Sequence, residues 1–431
     1  MYLEKIRNFN YRTSINYIKL SLSRGLGMLS IYSLNYVLAK QLSLYEAGTI
    51  FVVLSYNIFV VTFLIFGGNF FLLKYVPRLF ELDHKEIIFN LILSIIFVCS
   101  LMFTVSIFML GSYNYITNQE FLLSNHTQTN TLLLTFFISI VNAVILLIAE
   151  VFKSIKKFEL SLFLTSTSFN ILTTILIYVR NVNSFSEAYE LLFYSLAICL
   201  VLSIWLFYHY IGFYPLRLFS PVTIVKKSFF LYMSGLSVMF LHIFDIISVD
   251  FFMDKEAAGV YNVAKKIGLL AFFPAQTLAN IYSQQISTLS FTNKEQLRDY
   301  IRRSTKHILI ISVLFLGLLL FVSPLLLDFF GRNYSSALKP MYILLVGYTL
   351  HGFSQPYAYY LILKGKYVYI CVIQIAIFFA SINYWLYLFE QIELEGLAVI
   401  YAITLLSGSI ACRYYFYKLL NITKYVKETQ K

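Results

Sequence analysis

The sequence predicts an all-α polytopic membrane protein with about twelve transmembrane helices. Three observations support this prediction: an apolar composition, twelve apolar runs of membrane-spanning length, and a regular alternation of basic and non-basic connections. Hydrophobic residues make up 59% of the 431 residues and charged residues 13%, whereas soluble domains average about 45–50% and about 25%. Mean hydropathy is +0.75. Because such a chain cannot cover a soluble globule with polar surface, lipid must solvate much of it.

A transmembrane helix needs about 20 predominantly apolar residues. The chain contains twelve runs of roughly this length, joined by short connections. They lie at about 18–40, 47–73, 87–110, 131–152, 158–179, 188–211, 228–252, 257–283, 305–328, 338–362, 367–389 and 395–417. No remaining part of the chain is long enough for a separate soluble domain.

The basic residues test this topology independently. With the N-terminus in the cytoplasm, the inward segments hold 25 of the 33 Lys and Arg residues, the outward segments hold five, and three lie within spans. This asymmetry follows the positive-inside rule and predicts that both termini are cytoplasmic. The net charge of +12 is therefore explained by topology and does not indicate nucleic-acid binding.

The four cysteines, Cys99, Cys199, Cys371 and Cys412, each lie inside an apolar run. Their positions are typical of small hydrophobic packing residues, and no spacing resembles a metal site. The sequence implies no metal and no cofactor.

An internal repeat divides the chain near its middle. Gly48, at the start of the second span, and Gly259, at the start of the eighth, are 211 residues apart. Each follows an alanine, and each is followed by a long span and a loop with a Lys-Glu pair. Six spans separate the two glycines, so the halves share one orientation, as in transporters built from parallel repeats. We therefore expect two six-helix bundles, at residues 1–212 and 213–431.

Four short motifs resemble those of a known family. They are Leu42-Ser43-Leu44-Tyr45-Glu46-Ala47-Gly48, Ala257-Ala258-Gly259-Val260-Tyr261-Asn262-Val263-Ala264, Phe330-Gly331-Arg332-Asn333-Tyr334 with Ala337, and Glu395-Gly396-Leu397-Ala398. In their order, topology and chain length they resemble the polysaccharide-exporter branch of the multidrug/oligosaccharidyl-lipid/polysaccharide exporter superfamily, typified by O-antigen (Wzx-type) flippases.

The resemblance implies two six-helix bundles around a central cavity lined mainly by spans one, two, seven and eight. It also implies a substrate, an oligosaccharide repeat unit on undecaprenyl diphosphate, which is moved across the bacterial plasma (inner) membrane for O-antigen, capsule or related polysaccharide biosynthesis. The expected partners are the lipid-linked oligosaccharide, membrane lipid, a polysaccharide polymerase and a chain-length regulator. Such a protein is a transporter that works by alternating access and is not an enzyme.

Ionisable residues inside spans are costly, so they usually face a cavity or a partner. Arg24 lies in the inner part of the first span, and Asn35 follows it by about three helical turns on the same face. A guanidinium suits a diphosphate because it donates to phosphate oxygens in a fork geometry. The alternative is that Arg24 extends to the cytoplasmic headgroups.

Lys265 and Lys266 lie about two turns into the eighth span. Helical periodicity aligns Lys265 with Gln276 and places Asn280 near the same line, which favours Lys265 as the cavity-facing lysine. Pro274 is expected to kink this helix. The alternative for the polar stripe is hydrogen bonding between helices.

Asp245, in the seventh span, is about as far before the connecting turn as Lys265 is after it. An antiparallel hairpin would therefore pair the two side chains. The pair is either a static neutralisation of two buried charges or a switch, in which a diphosphate or a proton displaces Asp245. His242, one turn earlier, is a candidate relay residue. His351 and Gln355, in the tenth span, are weaker candidates for cavity groups.

Two other functions fit parts of the sequence. A multidrug antiporter of the same superfamily would use a buried carboxylate such as Asp245, but it does not explain Arg24 and the lysine pair. A membrane polysaccharide polymerase or glycosyltransferase would carry a substantial outward loop with catalytic charges. The largest outward loop here, around 111–130, has Glu120 as its only formally charged residue.

Overall fold

The computed structural model describes residues 11–117, 126–292, 294–364, 366–389 and 393–428. Within these ranges the regular structure is helical, with no strand. Each of the twelve predicted spans corresponds to one helical segment, and several of these segments are interrupted once. Glu120 and the middle of the outward loop lie outside the described residues.

The segments of the first half are continuous or broken helices. They are α1 (Tyr11–Gln41), α2 (Leu44–Ile65) with α3 (Gly68–Glu81), α4 (Lys85–Thr117), α5 (His126–Ser154), α6 (Phe158–Leu162) with α7 (Ser168–Arg180), and α8 (Phe185–Ile211). A π-helical turn, Phe163–Thr167, joins α6 to α7.

The second half has the same alternation of long and interrupted segments. It contains α9 (Pro221–Phe252), α10 (Lys255–Leu269) with α11 (Phe273–Thr292), α12 (Lys294–Phe330), α13 (Leu338–Gly352) with α14 (Gln355–Leu363), α15 (Tyr367–Phe389) and α16 (Leu394–Glu428). Across the described residues, eight helices are long and apolar enough to cross a membrane by length and composition. Two of the other segments, 255–292 and 338–363, are each divided into shorter helices.

Two interruptions precede prolines. A 3₁₀ turn at Leu270–Phe272 separates α10 from α11, just before Pro274. The helix α13 ends at Gly352, four residues before Pro356. Proline lacks an N–H and its ring collides with the carbonyl of residue i−4, and in both cases residue i−4 lies at the break. The α-helix is thus interrupted at the position predicted for a kink, and the bend itself stays a prediction.

The break between α2 and α3 has a different cause. Phe66 and Gly67 adopt positive φ angles of 48° and 73°, which end the helical hydrogen bonding without a proline. A Cβ at Gly67 would lie 3.0 Å from the Ser228 carbonyl oxygen and from the Tyr232 nitrogen. The Phe66 ring stacks on Tyr232 with centroids 4.1 Å apart. Glycine is therefore required at residue 67 both by its backbone conformation and by the close approach of α9.

The chain divides into two compact units. The first comprises the chain up to Leu42 and Val53–Leu236, and the second comprises Ser43–Val52 and the chain from Ser237 onward. The boundary of the contacts falls inside α9, so the first half of this helix belongs to the first unit. The bundle boundary predicted at residues 212 and 213 stays a prediction.

The non-helical stretch between α8 and α9 is attached to α4 within the first unit. The backbone N–H of Arg217 donates to the Asn90 Oδ1 at 2.7 Å, and that of Phe219 donates to the Ser94 Oγ at 2.8 Å. Asn90 and Ser94 are one turn apart on α4 and share a face. Two side chains of one helix thus accept hydrogen bonds from two backbone N–H groups of this stretch. These bonds hold the chain in place just before α9 begins.

The starts of α2 and α10 are both capped by side chains. Ser43 and Glu46 form a reciprocal capping box, in which Ser43 Oγ and Glu46 Oε2 each lie 3.3 Å from the other residue's backbone nitrogen. Asp254 caps α10 by accepting from the Ala257 N–H at 2.6 Å. Both helices therefore begin at fixed positions, just before the glycines of the repeat.

The two repeat glycines contact each other within the second unit. A Cβ on Gly48 would collide with the carbonyl oxygen of Lys255, which is one turn before Gly259. A Cβ on Gly259 would lie 3.2 Å from the carbonyl oxygen of Leu44, which is one turn before Gly48. Each helix thus presents the same two positions to the other, and small residues allow the backbones to meet.

All four cysteines are buried and unbridged. Cys99 and Cys371 are fully inaccessible, and Cys199 and Cys412 are 2% exposed. Their packing role, predicted from the apolar runs, agrees with this burial. In the described part of the chain, no group of three or more His, Cys, Asp or Glu side chains has the geometry to hold a metal ion.

Candidate functional site

The second unit contains a buried ion pair at its centre. Asp245, on α9, is fully buried, and the Lys265 ammonium donates to its Oδ1 at 2.6 Å. The Tyr261 hydroxyl donates to Oδ2 at 3.2 Å, and the Ile246 N–H donates to Oδ1 at 2.9 Å. Tyr261 and Lys265 are one turn apart on α10, so a single helix face supplies both side-chain donors. The contact between Asp245 and Lys265 predicted from the hairpin is confirmed.

Two tyrosines complete the surroundings of the lysine. The Lys265 Nζ lies 5.3 Å from the centroid of the Tyr401 ring, on α16, within the range of a cation–π contact. The Tyr348 hydroxyl, on α13, donates to the Tyr401 hydroxyl at 3.5 Å, and both tyrosines are 1% exposed. Four helices therefore converge on one ammonium and one carboxylate.

The two members of the pair differ in accessibility. The Asp245 side chain is 0% exposed, whereas the Lys265 side chain is 12% exposed. Lys265 is therefore the member of the pair whose side chain keeps some surface outside the protein interior. Lys266 follows directly in sequence and is partly buried. Two lysines on one turn of α10 thus lie beside one carboxylate from α9, which gives this region an excess of positive formal charge.

For the other residues of the predicted polar stripe, no contact with this pair is described. Gln276 is exposed, on α11 beyond the 3₁₀ turn at Leu270–Phe272. The side chains of Asn280 and His242 lie outside the described residues. The stripe was predicted for one unbroken helix, and the interruption before Pro274 changes the rotation on which that alignment depends. Their roles as cavity or relay groups stay predictions.

Arg24 and Asn35 belong to the first unit. Arg24 is partly buried on α1, and Asn35 is 6% exposed. The Asn35 side-chain amide donates to the Ile31 carbonyl at 2.7 Å, one turn back on its own helix. This bond satisfies a buried amide group locally, and the proposed role of Arg24 toward a diphosphate stays a prediction.

His351 is held by neighbouring helices of the second unit. Its ring stacks on Phe272 with centroids 5.4 Å apart, and its Nδ1 lies 3.3 Å from the Ser409 Oγ and 3.4 Å from the Leu405 carbonyl oxygen. The Gln355 amide nitrogen is 3.4 Å from the other ring nitrogen. Each ring nitrogen of His351 therefore has a partner on another helix.

Sequence reasoning missed the tyrosines around the pair. Tyr261 was noted only as part of a motif, although its position four residues before Lys265 places both on one helix face. Tyr348 and Tyr401 are more than eighty residues away along the chain and carry no local signal that distinguishes them from the other tyrosines, of which the chain has 35. Only the packing of α13 against α10, and of α16 against α13, reveals them.

Comparisons with known proteins give a likeness of structure. No protein-family model matches the sequence, and no curated protein matches it significantly. An inward-facing multidrug resistance MATE family transporter of the MOP superfamily superimposes with a TM-score of 0.68 at 13% identity, covering 95% of this chain and 98% of that chain. The helical fold class predicted from the sequence is confirmed by this match.

Two further solved structures agree. A MOP superfamily transporter from Pyrococcus furiosus matches with a TM-score of 0.66 at 16% identity, covering 95% of this chain and 96% of that one. A MATE transporter from Vibrio cholerae matches with a TM-score of 0.63 at 12% identity, covering 94% and 96%. At these identities the likeness establishes the fold alone. The chain is a polytopic membrane protein with the fold of the MATE transporters of the MOP superfamily.

Proposed function

We propose that the protein is a flippase that moves an anionic lipid-linked oligosaccharide across a bacterial plasma membrane. The substrate would be an undecaprenyl-diphosphate-linked repeat unit used for O-antigen, capsule or a related surface polysaccharide. The observation that carries the proposal is the buried pair, in which the Lys265 side chain keeps an exposed fraction of 12% and Asp245 keeps none. Such a site presents a positive charge to its ligand, as a diphosphate requires.

The chemistry of the pair suggests how a substrate would be bound and released. A diphosphate that approaches Lys265 competes with Asp245 for the same ammonium, and Lys266 adds a second cation on the adjacent position. When the diphosphate leaves, Asp245 is already positioned to form the ion pair with the Lys265 ammonium again. The free protein therefore avoids an uncompensated buried charge, and substrate is exchanged for an internal carboxylate.

Arg24 would contribute a second anchoring cation from α1. A guanidinium holds phosphate oxygens more directionally than an ammonium does. The polyprenyl chain would stay in lipid while the cationic groups hold the head group, and alternating access would expose them to each leaflet in turn. A polymerase and a chain-length regulator would act on the translocated unit. Both termini would be cytoplasmic.

Multidrug transport is the competing function, because the fold is shared with multidrug transporters. A cationic drug needs an accessible carboxylate, yet Asp245 is fully buried behind Lys265. A solved transporter of the same fold is described by a reversed polarity of its binding pocket, which suggests a different function for that protein. A cationic site in this fold is thus compatible with a substrate other than a drug.

The test is export of surface polysaccharide in the native strain after deletion of the gene and restoration with variants. We expect the doubly neutral variant Asp245→Asn/Lys265→Gln, and separately Arg24→Gln, to lower polymer export at least tenfold while membrane levels of the protein are kept. Lys339→Gln, which removes an exposed cation paired with Glu395, is the matched control and should export normally.

The lipid-linked intermediate distinguishes the alternatives. Accumulation of single repeat units on the cytoplasmic side supports a flippase. Accumulation on the outer face points to a polymerase, and unchanged polymer together with altered drug resistance points to multidrug transport. Full export by both variants would contradict the assignment of these cations.

A further inference from the structure

One end of the second unit carries exposed cations without carboxylate partners. The basic side chains exposed there include the following seven, on α12, at the start of α15 and on α16: Arg298, Arg302, Arg303, Lys306, Lys366, Arg413 and Lys418. Among the described residues none of the seven forms a salt bridge. At the opposite end of the same unit, Lys255 and Lys339 are each paired with a carboxylate. The basic end therefore carries a net positive charge, although the carboxylates Glu295 and Asp299 lie on the same stretch of α12.

Two of these lysines flank a stacked pair of tyrosines. Tyr369 on α15 and Tyr415 on α16 are nearly parallel, at 12°, with centroids 6.4 Å apart. The Lys366 Nζ lies 5.6 Å from the Tyr369 centroid, and the Lys418 Nζ lies 5.9 Å from the Tyr415 centroid. Each lysine is three residues from its tyrosine, so Lys-x-x-Tyr at the start of α15 faces Tyr-x-x-Lys on the antiparallel helix α16. We call these four residues the lysine–tyrosine clamp.

The surface next to the clamp is apolar and exposed. Toward the middle of the same two helices lie Val372, 56% exposed, and Ile410, 62% exposed. Val372 is about one turn beyond Tyr369 on α15, and Ile410 is about one turn before Tyr414 on α16. A ligand held by the clamp would therefore have an anionic head at the two lysines and an apolar body along these side chains.

We propose that the lysine–tyrosine clamp is a binding site for an anionic phospholipid of the surrounding leaflet. Lys366 and Lys418 would hold the phosphodiester, the tyrosine pair would orient the two ammonium groups, and the acyl chains would lie against Val372 and Ile410. Basic clusters immediately beside membrane spans attract anionic headgroups with roughly 1 kcal/mol per basic residue. This inference does not depend on the proposed flippase activity.

An anionic phospholipid fits this surface better than a soluble anion. A free phosphate would use the two ammonium groups but would leave Val372 and Ile410 without a partner. The positive-inside rule predicts that this end lies at the cytoplasmic surface of the membrane, where it would meet anionic headgroups. We therefore expect an anionic phospholipid to bind at the clamp specifically, and not equally over the whole basic end.

The experiment measures lipid binding to the purified full-length protein in a neutral detergent. Phosphatidylglycerol, phosphatidylcholine and inorganic phosphate are titrated in turn, with native mass spectrometry and thermal stability as readouts. We expect Lys366→Gln/Lys418→Gln to weaken phosphatidylglycerol binding about thirtyfold. Arg303→Gln/Lys306→Gln, which removes two charges from the same end outside the clamp, should weaken it less than threefold. Tyr369→Leu should weaken it a few-fold without any change of charge.

Three results would overturn the inference. Equal losses in the two charge-neutralised variants would show that attraction to this end is diffuse. Binding of phosphatidylcholine as tight as that of phosphatidylglycerol would show that the clamp does not recognise negative charge. Saturation by inorganic phosphate at the same concentration as the phospholipid would show that the acyl chains contribute nothing.

Discussion

Replacing Lys265 with methionine is expected to destabilise the protein by about 3–5 kcal/mol, the usual cost of removing one member of a buried ion pair. The lost ammonium leaves the Asp245 carboxylate in a fully buried position, where the Tyr261 hydroxyl and the Ile246 N–H still donate to it. Unfolding by sodium dodecyl sulfate in mixed micelles measures the change.

The double variant Asp245→Asn/Lys265→Met should recover most of the lost stability, because it removes both charges and keeps similar side-chain volumes. Lys339→Met, which breaks an exposed pair with Glu395, should leave stability almost unchanged. If Lys265→Met alone were as stable as the wild type, the pair would not be buried as described.

The same double variant separates the static pair from the switch. A pair that only neutralises two buried charges is dispensable once both are gone, so transport would return together with stability. If the Lys265 ammonium binds substrate, stability returns and transport does not. We expect the second outcome, because the lysine is the accessible member of the pair.

Replacing Gly48 with alanine is expected to cost about 3 kcal/mol or more, at the upper end of the range for overpacked sites. The new methyl group would collide with the Lys255 carbonyl oxygen. The carbonyl is part of the backbone, and the position of the methyl group is fixed by the backbone that carries it. Neither group can rotate away as the end of a long side chain can. To admit the methyl group, α2 and α10 would have to separate, which disturbs the capped starts of both helices.

A graded series of alanine variants tests this explanation. Gly259→Ala should cost less than Gly48→Ala, since its nearest atoms, the Gly48 Cα and the Leu44 oxygen, would both be 3.2 Å away. Gly317→Ala, on an exposed face of α12 with no atom near the new methyl group, should be neutral or stabilise by up to about 1 kcal/mol. Equal stabilities of all three variants, measured by the same micellar unfolding, would contradict the glycine crossing.

The helices could be predicted from the sequence because the membrane imposes a simple rule. Lipid offers no hydrogen-bond partners, so an apolar run of about 20 residues must form a helix. The observed helices extend beyond the predicted runs at several ends, as α1 and α12 do, because polar residues continue a helix into water. The break at Phe66 and Gly67 was not predicted, since no proline marks it.

The candidate site was predictable only in part. The Asp245–Lys265 pair follows from equal distances on either side of one turn, which is a property of local sequence. The tyrosines at 348 and 401 come from helices far along the chain, and their approach depends on packing that periodicity does not encode. The polar stripe from Lys265 to Gln276 assumed an unbroken helix, whereas a 3₁₀ turn at Leu270–Phe272 intervenes.

The burial of all four cysteines makes the natural sequence a convenient background for chemical labelling. Membrane-impermeant thiol reagents need an accessible thiolate, and the four native thiols are at most 2% exposed. Single cysteines introduced into successive connecting loops would therefore report their own side of the membrane without prior removal of the native ones. The orientation inferred from the basic residues can thus be mapped loop by loop in intact cells, on a protein whose core packing is left untouched.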